Sequence, residues 1–189
     1  MTNLTQKLVI GAATLVAGLV LGWAGRGVIS YSTSTQFMTS FDAWRVACPA
    51  ADQKGVNCEM IQDVVDNESK QELVRIAIGK LPDGKPILDL TMPLGVSLEK
   101  PVGLVMGKEP ARTVSYRTCL AQGCIADFPL DDKLMASLNA GEDGNILITS
   151  LASEKPIAIP LSLKGYRAAR RVYDNGEAKR TSWFWRLWS

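Results

Sequence analysis

The sequence predicts a mostly β domain, a sandwich or a curled barrel with two accessory helices, preceded by one N-terminal transmembrane helix. Three observations predict this class. Short apolar segments separated by turn residues recur along the chain, an uncharged run stands near the N-terminus, and four cysteines form two close pairs. A chain of 189 residues accommodates one domain of about 140 residues plus appendages, so we expect a single hydrophobic core.

The uncharged run covers residues 8–25, which is 18 residues between Lys7 and Arg26. At a rise of about 1.5 Å per residue, such a helix is about 27 Å long and matches the hydrocarbon core of a bilayer. A cleaved signal peptide is the alternative, because small residues stand near the end of the run. The length of the run and the position of Trp23 at its outer edge favour a retained anchor.

The cysteines occur as Cys48 with Cys58 and Cys119 with Cys124. Four cysteines allow three connectivities, and proximity favours the two local bonds. The chain has no histidine, no zinc-knuckle spacing and no Cys-x-x-Cys motif, so a metal site and a thioredoxin-like site are both disfavoured. Structural disulfides indicate an oxidising compartment. We therefore expect a cytoplasmic N-terminus, with the residues after Arg26 in the periplasm or outside the cell.

Apolar residues at alternate positions, bounded by turn residues such as the Pro-Asp-Gly at 82–84, predict the strands. The segments predicted as strands are 42–48, 58–65, 72–78, 86–92, 102–106, 113–118, 144–151 and 156–160. Strands at this spacing are typical of sandwiches and curled barrels.

Two helices interrupt the β pattern. Residues 130–138 have acidic side chains in the first turn, apolar residues one turn apart and Gly141 just after the end, which are start and stop signals. The second helix is predicted to begin with Ser162 as its cap and to run to about Val172, with Asn175 and Gly176 ending it.

The composition argues against enzymatic chemistry. A chain without histidine lacks the commonest general base and the commonest metal ligand. Asp131 and Asp132 are adjacent on a predicted helix, where neighbours point about 100° apart, so they are not expected to share a proton or a metal ion. No glycine-rich run precedes a Lys-Ser/Thr pair as in a phosphate-binding loop. We therefore predict no enzyme and assign no catalytic, cofactor-binding or metal-binding residue.

Charge is unevenly distributed along the chain. Residues 42–163 carry 12 Lys/Arg against 17 Asp/Glu, whereas residues 164–189 carry 7 against 2. A nucleic-acid-binding protein would place basic residues on its folded face, so we expect no nucleic-acid partner. A basic tail fits anionic lipid or an acidic protein surface.

The chain ends in SWFWRLWS, residues 182–189, which holds three of its five tryptophans. Indole surface on this scale is normally covered by lipid or by another protein. We expect Lys179, Arg180 and Arg186 to reach phosphate head groups or acidic side chains. The residues predicted to contact the membrane lipid or a membrane-embedded partner are Trp23, Trp183, Phe184, Trp185, Arg186, Leu187 and Trp188. The alternative is that these rings pack back on the domain.

The domain resembles the invasion-associated locus B family of alphaproteobacterial envelope proteins. The resemblance rests on WRVAC at 44–48, Cys58, MPLGV at 92–96 with Leu98, Cys119 with GC at 123–124, PLSLKGY at 160–166 and AA at 168–169. It covers about residues 41–171 and implies a disulfide-bearing, mostly β domain exported to the periplasm or cell surface. Many members look like soluble exported proteins, so the anchor and the Trp-rich tail are departures that point to the membrane.

The MPLGV motif is interpreted as structural. Pro93 and Gly95 flank a turn, and Val96 and Leu98 are expected to re-enter the core at alternate positions. The chain is accordingly divided into a cytoplasmic N-terminus (1–7), a transmembrane anchor or uncleaved signal (8–25), a Ser/Thr linker (26–40), an invasion-associated locus B-like periplasmic domain (41–176) and a basic Trp-rich tail (177–189).

The leading functional hypothesis is a non-enzymatic, single-span inner-membrane protein whose periplasmic domain mediates protein–protein contact. Its most concrete form is an accessory subunit of an integral inner-membrane complex. The second hypothesis is a virulence factor of the envelope that acts at the host interface, as the name of the resembling family suggests. A third is a periplasmic carrier that holds a small molecule or a lipid within the β domain.

Overall fold

The computed structural model describes residues 2–32, 36–50, 52–53 and 55–186. Its first element, α1, is a helix over Thr2–Ser32 that extends beyond the predicted anchor at both ends. Within it, the 22 residues Gln6–Gly27 form a stretch that is long enough and on average apolar enough to cross a membrane. Residues 26–32 continue this helix, so the predicted Ser/Thr linker is shorter than expected.

Eleven strands follow among the described residues. They are β1 (Phe37–Phe41), β2 (Trp44–Cys48), β3 (Glu59–Val65), β4 (Glu72–Lys80), β5 (Pro86–Met92), β6 (Val102–Met106), β7 (Arg112–Val114), β8 (Thr118–Leu120), β9 (Gly123–Pro129), β10 (Gly144–Thr149) and β11 (Pro156–Leu161).

These strands form two antiparallel sheets. One sheet has seven strands in the order β1, β2, β3, β4, β5, β9, β8, and the other has four in the order β11, β10, β6, β7. Neither sheet closes on itself. The predicted mostly β class is therefore confirmed in an open, two-sheet form.

Alternate residues of the strands build the core, as the period-two pattern requires. The buried side chains of the central strands are Val74, Ile76 and Ile78 in β4, Leu88, Leu90 and Met92 in β5, Leu104 in β6 and Ile146 in β10. The residues between them, such as Arg75 and Asp89, point to the opposite face of the seven-stranded sheet and are partly exposed. That outer face carries charged side chains.

Two strands lie where the sequence predicts none. β1 falls in the predicted linker and pairs with β2 across a tight turn in which Asp42 has a φ of 49°. β9 contains Gly123, Asp127 and Pro129, residue types with low strand propensity. Its pairing with β5 over six residue pairs and with β8 overrides that propensity.

The strand predicted over residues 113–118 is wrong. β7 ends at Val114 in the four-stranded sheet, and β8 begins at Thr118 in the seven-stranded sheet. The chain therefore changes sheets between these residues. The alternation of apolar and polar residues cannot reveal this change of sheet, because apolar residues continue at alternate positions across it.

The first domain helix, α2 (Asp132–Ala140), confirms the sequence signals. The side chain of Asp131 caps it by accepting a hydrogen bond of 2.8 Å from the backbone N–H of Leu134. Gly141 ends it with a φ of 83°, in the left-handed region that glycine adopts without steric cost. Leu134 and Leu138 face the core.

The second domain helix, α3, differs from its prediction at both ends. It covers Tyr166–Thr181 and begins at Gly165 rather than at Ser162. The carbonyl oxygen of Ser162 accepts hydrogen bonds from Trp44 Nε1 and Gln62 Nε2, at 2.8 and 2.7 Å, so this residue is held by the seven-stranded sheet. The helix also passes through Asn175 and Gly176, the predicted stop, and continues to Thr181.

Candidate functional site

The Trp-rich tail forms a short helix, α4, over Trp183–Arg186, and it packs against α3 and α1. Three of its aromatic side chains remain largely exposed, at 70% for Trp183, 52% for Phe184 and 53% for Trp185. The rings of Trp183 and Phe184 meet edge to face with centroids 6.2 Å apart. The tail therefore lies beside the apolar N-terminal helix with its indoles turned outward.

The remaining residues predicted to contact the membrane lie in or near the same region. Trp23 is 55% exposed on α1, and Arg186 is the last residue of α4. Leu187 and Trp188 lie outside the described residues. Contact of any of these side chains with lipid or with a partner stays a prediction.

Arg180, which the sequence predicts to reach phosphate head groups or acidic side chains, contacts the domain itself in the structure. Its guanidinium donates hydrogen bonds to four backbone carbonyls of the loop that follows β2. The acceptors are Pro49 O, Ala50 O, Gln53 O and Val56 O, at 3.1, 3.2, 2.6 and 2.7 Å. Guanidinium has five N–H donors in a fixed plane, which lets one side chain gather several carbonyls. Arg180 therefore connects the end of α3 to the loop between Cys48 and Cys58 through hydrogen bonds.

Glu177, which is not predicted as a site residue, is a second residue that connects α3 to the disulfide loop. Its side chain is 4% exposed. Oε1 accepts a hydrogen bond of 2.7 Å from the backbone N–H of Cys58, and Oε2 pairs with Lys80 Nζ at 2.9 Å. The available signal is spacing, because Glu177 continues the buried positions 166, 169 and 173 of α3 at a four-residue interval.

Gly176 lies against the first disulfide. The structure contains both bonds that proximity favours, Cys48–Cys58 and Cys119–Cys124. A Cβ atom at position 176 would lie 2.9 Å from the Sγ atoms of Cys48 and Cys58. The glycine is thus needed for close approach of the helix to the disulfide, which explains why it does not end α3.

The disulfide loop, α3 and α4 therefore form one connected unit. Gly176, Glu177 and Arg180 lie within five residues and all contact the segment from Cys48 to Cys58. Only two residues separate Arg180 from the first tryptophan of α4. This arrangement fixes where the aromatic tail leaves the domain, next to α1.

A separate charged cluster lies on the outer face of the seven-stranded sheet. Asp89 of β5 and Asp127 of β9 are directly opposite each other, and Arg117 pairs with both. Asp127 Oδ1 is buried with no hydrogen-bond partner among the described residues. Burial, the hydrogen bond to Asp127 and the charge of Asp127 raise the pKa of Asp89 to about 6. When one of the two carboxyl groups is protonated, it can donate a hydrogen bond to the other, and the repulsion between two negative charges is removed.

We predict that this pair makes the domain more stable in mild acid. Since the pKa of Asp89 is raised from 3.8 to about 6 on folding, its stabilising proton is fully bound below about pH 4 and is lost as the pH rises through 6. The groups that face Asp89 are Asp127, Arg117 and Thr91, with Ala77 opposite it on β4 and Arg75 further along that strand. After allowance for partial exposure, the effect should be about 1 kcal/mol.

The measurement is urea unfolding at pH 4.5 and pH 7 for the wild type and for Asp89→Asn. The amide cannot titrate, so the variant should lose this part of the pH dependence and gain stability relative to the wild type at pH 7. Asp132→Asn, which changes an exposed acid of α2, is the control and should keep the pH dependence of the wild type. An identical pH dependence in wild type and Asp89→Asn would contradict the assignment.

No group of three or more histidine, cysteine, aspartate or glutamate side chains is placed to hold a metal ion within the described ranges. The two carboxylates of the charged cluster are bridged by one guanidinium, which balances one of their two negative charges.

Comparison with known proteins identifies the domain. Residues 44–172 match the family described as Invasion associated locus B (IalB) protein. An invasion protein B homolog of Brucella abortus strain 2308 is 31% identical over 131 residues, which is 69% of this chain and 75% of the relative. Invasion protein B of Bartonella bacilliformis is 27% identical over 118 residues, 62% of each chain.

A solved structure has the same fold. The crystal structure of invasion associated protein B from Bartonella henselae superposes with a TM-score of 0.62 at 24% identity, over 73% of this chain and 96% of that one. α1 precedes the matched residues 44–172. Residues 173–181 of α3 and all of α4 follow them. From β2 through the first half of α3, the chain belongs to the invasion-associated locus B family.

Proposed function

We propose that the protein is a non-enzymatic, single-span envelope protein that serves as an accessory subunit of an integral inner-membrane complex. α1 would remain on the mature chain with its N-terminus in the cytoplasm, and the disulfide-bonded β domain would stand in the periplasm. The observation that carries the proposal is the position of α4, whose three exposed aromatic side chains lie beside the apolar helix. A signal sequence would also be apolar, but its removal would leave the tail without this neighbour.

The chemistry of α4 supports a membrane-boundary location. Tryptophan and phenylalanine present large apolar surfaces, and the indole N–H retains a polar end, which suits the interface between lipid and water. These aromatic residues lie in α4 (Trp183–Arg186), a helix of about one turn that is too short to span a bilayer. It is suited to lie at the boundary, against lipid and against the side of a membrane-embedded partner.

One face of α1 supports contact with other transmembrane helices. Gly11, Gly18, Gly22 and Gly25 lie within an arc of about 60° at 100° per residue, and a Cβ atom at each would meet nothing within 4 Å. Gly18 and Gly22 are separated by three residues, the spacing at which small side chains let helix backbones approach each other in lipid. Together with the aromatic tail, this face favours a protein partner inside the membrane.

Co-purification in a mild detergent tests the proposal. The wild type should elute with an integral inner-membrane complex in a fixed stoichiometry, identified by mass spectrometry. Combined Trp183→Ser, Phe184→Ser and Trp185→Ser substitutions should reduce this association at least tenfold and leave the thermal midpoint of the domain within about 2 °C, because these side chains are exposed.

Val65→Ser, at a side chain 45% exposed in β3, is the control and should keep full association. Recovery of the wild type as a lone monomer would contradict the proposal. A large drop in thermal midpoint with association intact would show instead that the tail belongs to the domain core.

A second candidate function follows from the relatives, which are named invasion proteins in Bartonella and invasion protein homologs in Brucella. On this alternative the domain acts at the host interface. It predicts that the protein is recovered from the outer membrane or the culture medium, whereas the accessory-subunit proposal predicts recovery from the inner membrane.

A further inference from the structure

An apolar groove lies at the edge of the seven-stranded sheet that β8 and β9 form. Its volume is about 890 Å³, and its walls include Leu94, Val96, Leu98, Leu151 and the disulfide Cys119–Cys124. β8 and β9 carry these cysteines at one edge of the sheet, and β1 forms the other edge. Six strand spacings of about 4.8 Å separate the two edges. The groove is therefore a different surface from the aromatic tail.

The leucines of the groove face solvent. Leu94 is 62% exposed, Leu98 is 57% exposed and Leu151 is 63% exposed, whereas Val96 between them is 6% exposed. The prediction that Leu98 re-enters the core is therefore wrong, since the segment turns its leucines outward and buries only the valine. Packing of the domain does not account for three exposed leucines around one concavity. A cluster of this kind marks an interaction surface.

The walls of the groove are held by backbone hydrogen bonds. Ser97 N–H donates to Thr149 O and Leu151 N–H donates to Gly95 O, each at 2.8 Å, and Val96 bridges to Ser150. The disulfide fixes the opposite wall. Because these contacts already exist, an occupant would enter a formed groove and would not have to order it first.

The size and edge of the groove favour a short extended segment over a folded domain or a second copy. Three half-exposed leucines present on the order of 300 Å² of apolar surface, well below the roughly 800 Å² that each partner buries in a standard interface. β8 ends its sheet, so its outer backbone edge has no strand partner among the described residues. An added strand can pair with such an edge while alternate side chains enter the adjacent groove.

The charges at the groove specify the segment further. Glu99, Lys100 and Glu154 line it, which leaves an excess of negative charge. We propose that the groove binds an extended segment of a partner protein that carries apolar side chains at alternate positions and Lys or Arg beside them. This site does not depend on the membrane tail, so its failure would leave the accessory-subunit proposal standing.

Peptide display tests the proposal. The purified full chain in mild detergent would be used to select from random 12-residue peptides, and the most enriched peptide would be synthesised with a fluorescent label. We expect alternating apolar residues with basic neighbours, and at least a tenfold loss of affinity, measured by fluorescence anisotropy, for Leu94→Asp and for Leu151→Asp. Val65→Asp, at an exposed valine of β3, is the matched control and should bind as the wild type does.

Folding and rival occupants are checked with the same proteins. Leu94→Ser and Leu151→Ser repeat the test without an added charge, and thermal midpoints near that of the wild type exclude unfolding as the cause of lost binding. The proposal would be overturned if no peptide is enriched, or if binding is equal in all variants. It would also be overturned if a labelled 16-carbon fatty acid, and not the peptide, requires Leu94. Sedimentation that shows a wild-type dimer and a Leu94→Asp monomer would assign the groove to a second copy.

Discussion

Replacement of both Cys48 and Cys58 by alanine should lower the free energy of unfolding by about 2–4 kcal/mol. The bond closes a loop across a sequence separation of 10, and its loss returns conformational freedom to the unfolded chain. It also frees the loop whose carbonyls bind Arg180 and whose sulfurs contact Gly176. The last turns of α3 should therefore become less protected along with the loop.

Urea unfolding of the full chain in mild detergent measures the loss, and hydrogen exchange at residues 176–181 measures the loosening of α3. The matched control is the replacement of Cys119 and Cys124, which should leave exchange in α3 unchanged because that bond lies at the other edge of the sheet. A loss below 1 kcal/mol, or no change of exchange in α3, would contradict the account of a connected unit.

Glu177→Ala should cost about 3 kcal/mol. The substitution leaves the buried N–H of Cys58 without an acceptor and removes the charge opposite Lys80. Lys80 is 31% exposed and can recover water, so the estimate lies at the lower end for a broken buried pair. Glu177→Gln should cost less, since the amide oxygen still accepts the hydrogen bond from Cys58.

Asp174→Ala is the control, because this acid lies in the same helix but is largely exposed and pairs with Arg170 one turn away. It should change the free energy of unfolding by less than about 0.5 kcal/mol. Equal effects of Glu177→Ala and Asp174→Ala in urea unfolding would show that the buried carboxylate does not hold the end of α3.

Much of the fold follows from local rules. β4 and β5 appear where apolar residues alternate, and α2 appears between Asp131 and Gly141, because each of these elements is specified by residues within its own length. Both disulfides join the nearest cysteines, as loop length favours. The prediction succeeds wherever short-range spacing and burial on one side determine the structure.

The unpredicted parts depend on contacts between distant segments. Taken by its local sequence, Gly176 predicts the end of a helix. Its close approach to a disulfide more than one hundred residues earlier shows that glycine is needed there within the helix. In the sequence, Arg180 looks like an ordinary basic residue of the tail. Only the structure shows that it binds backbone carbonyls of the loop at 49–56. β9 has weak propensity and exists because β5 and β8 pair with it.

Of the two candidate surfaces, the aromatic tail could be predicted from the sequence and the groove could not. The aromatic tail is conspicuous in sequence because three tryptophans in eight residues have no place in an ordinary solvated end. Its position beside α1 could not be predicted, since it depends on how Glu177 and Arg180 direct the end of α3. The groove is hidden in sequence, because nothing in the alternation of Leu94, Val96 and Leu98 indicates that the leucines face solvent and the valine faces the core.

Retention of α1 on the mature protein is the central claim, and the mass of the protein in carbonate-washed membranes tests it most directly. A retained anchor predicts that the protein stays in the membrane pellet and that its mass includes residues 8–25, because the apolar stretch within Gln6–Gly27 holds it in lipid. A mature chain that begins near Gly25 and leaves the membranes with the carbonate wash would contradict the account.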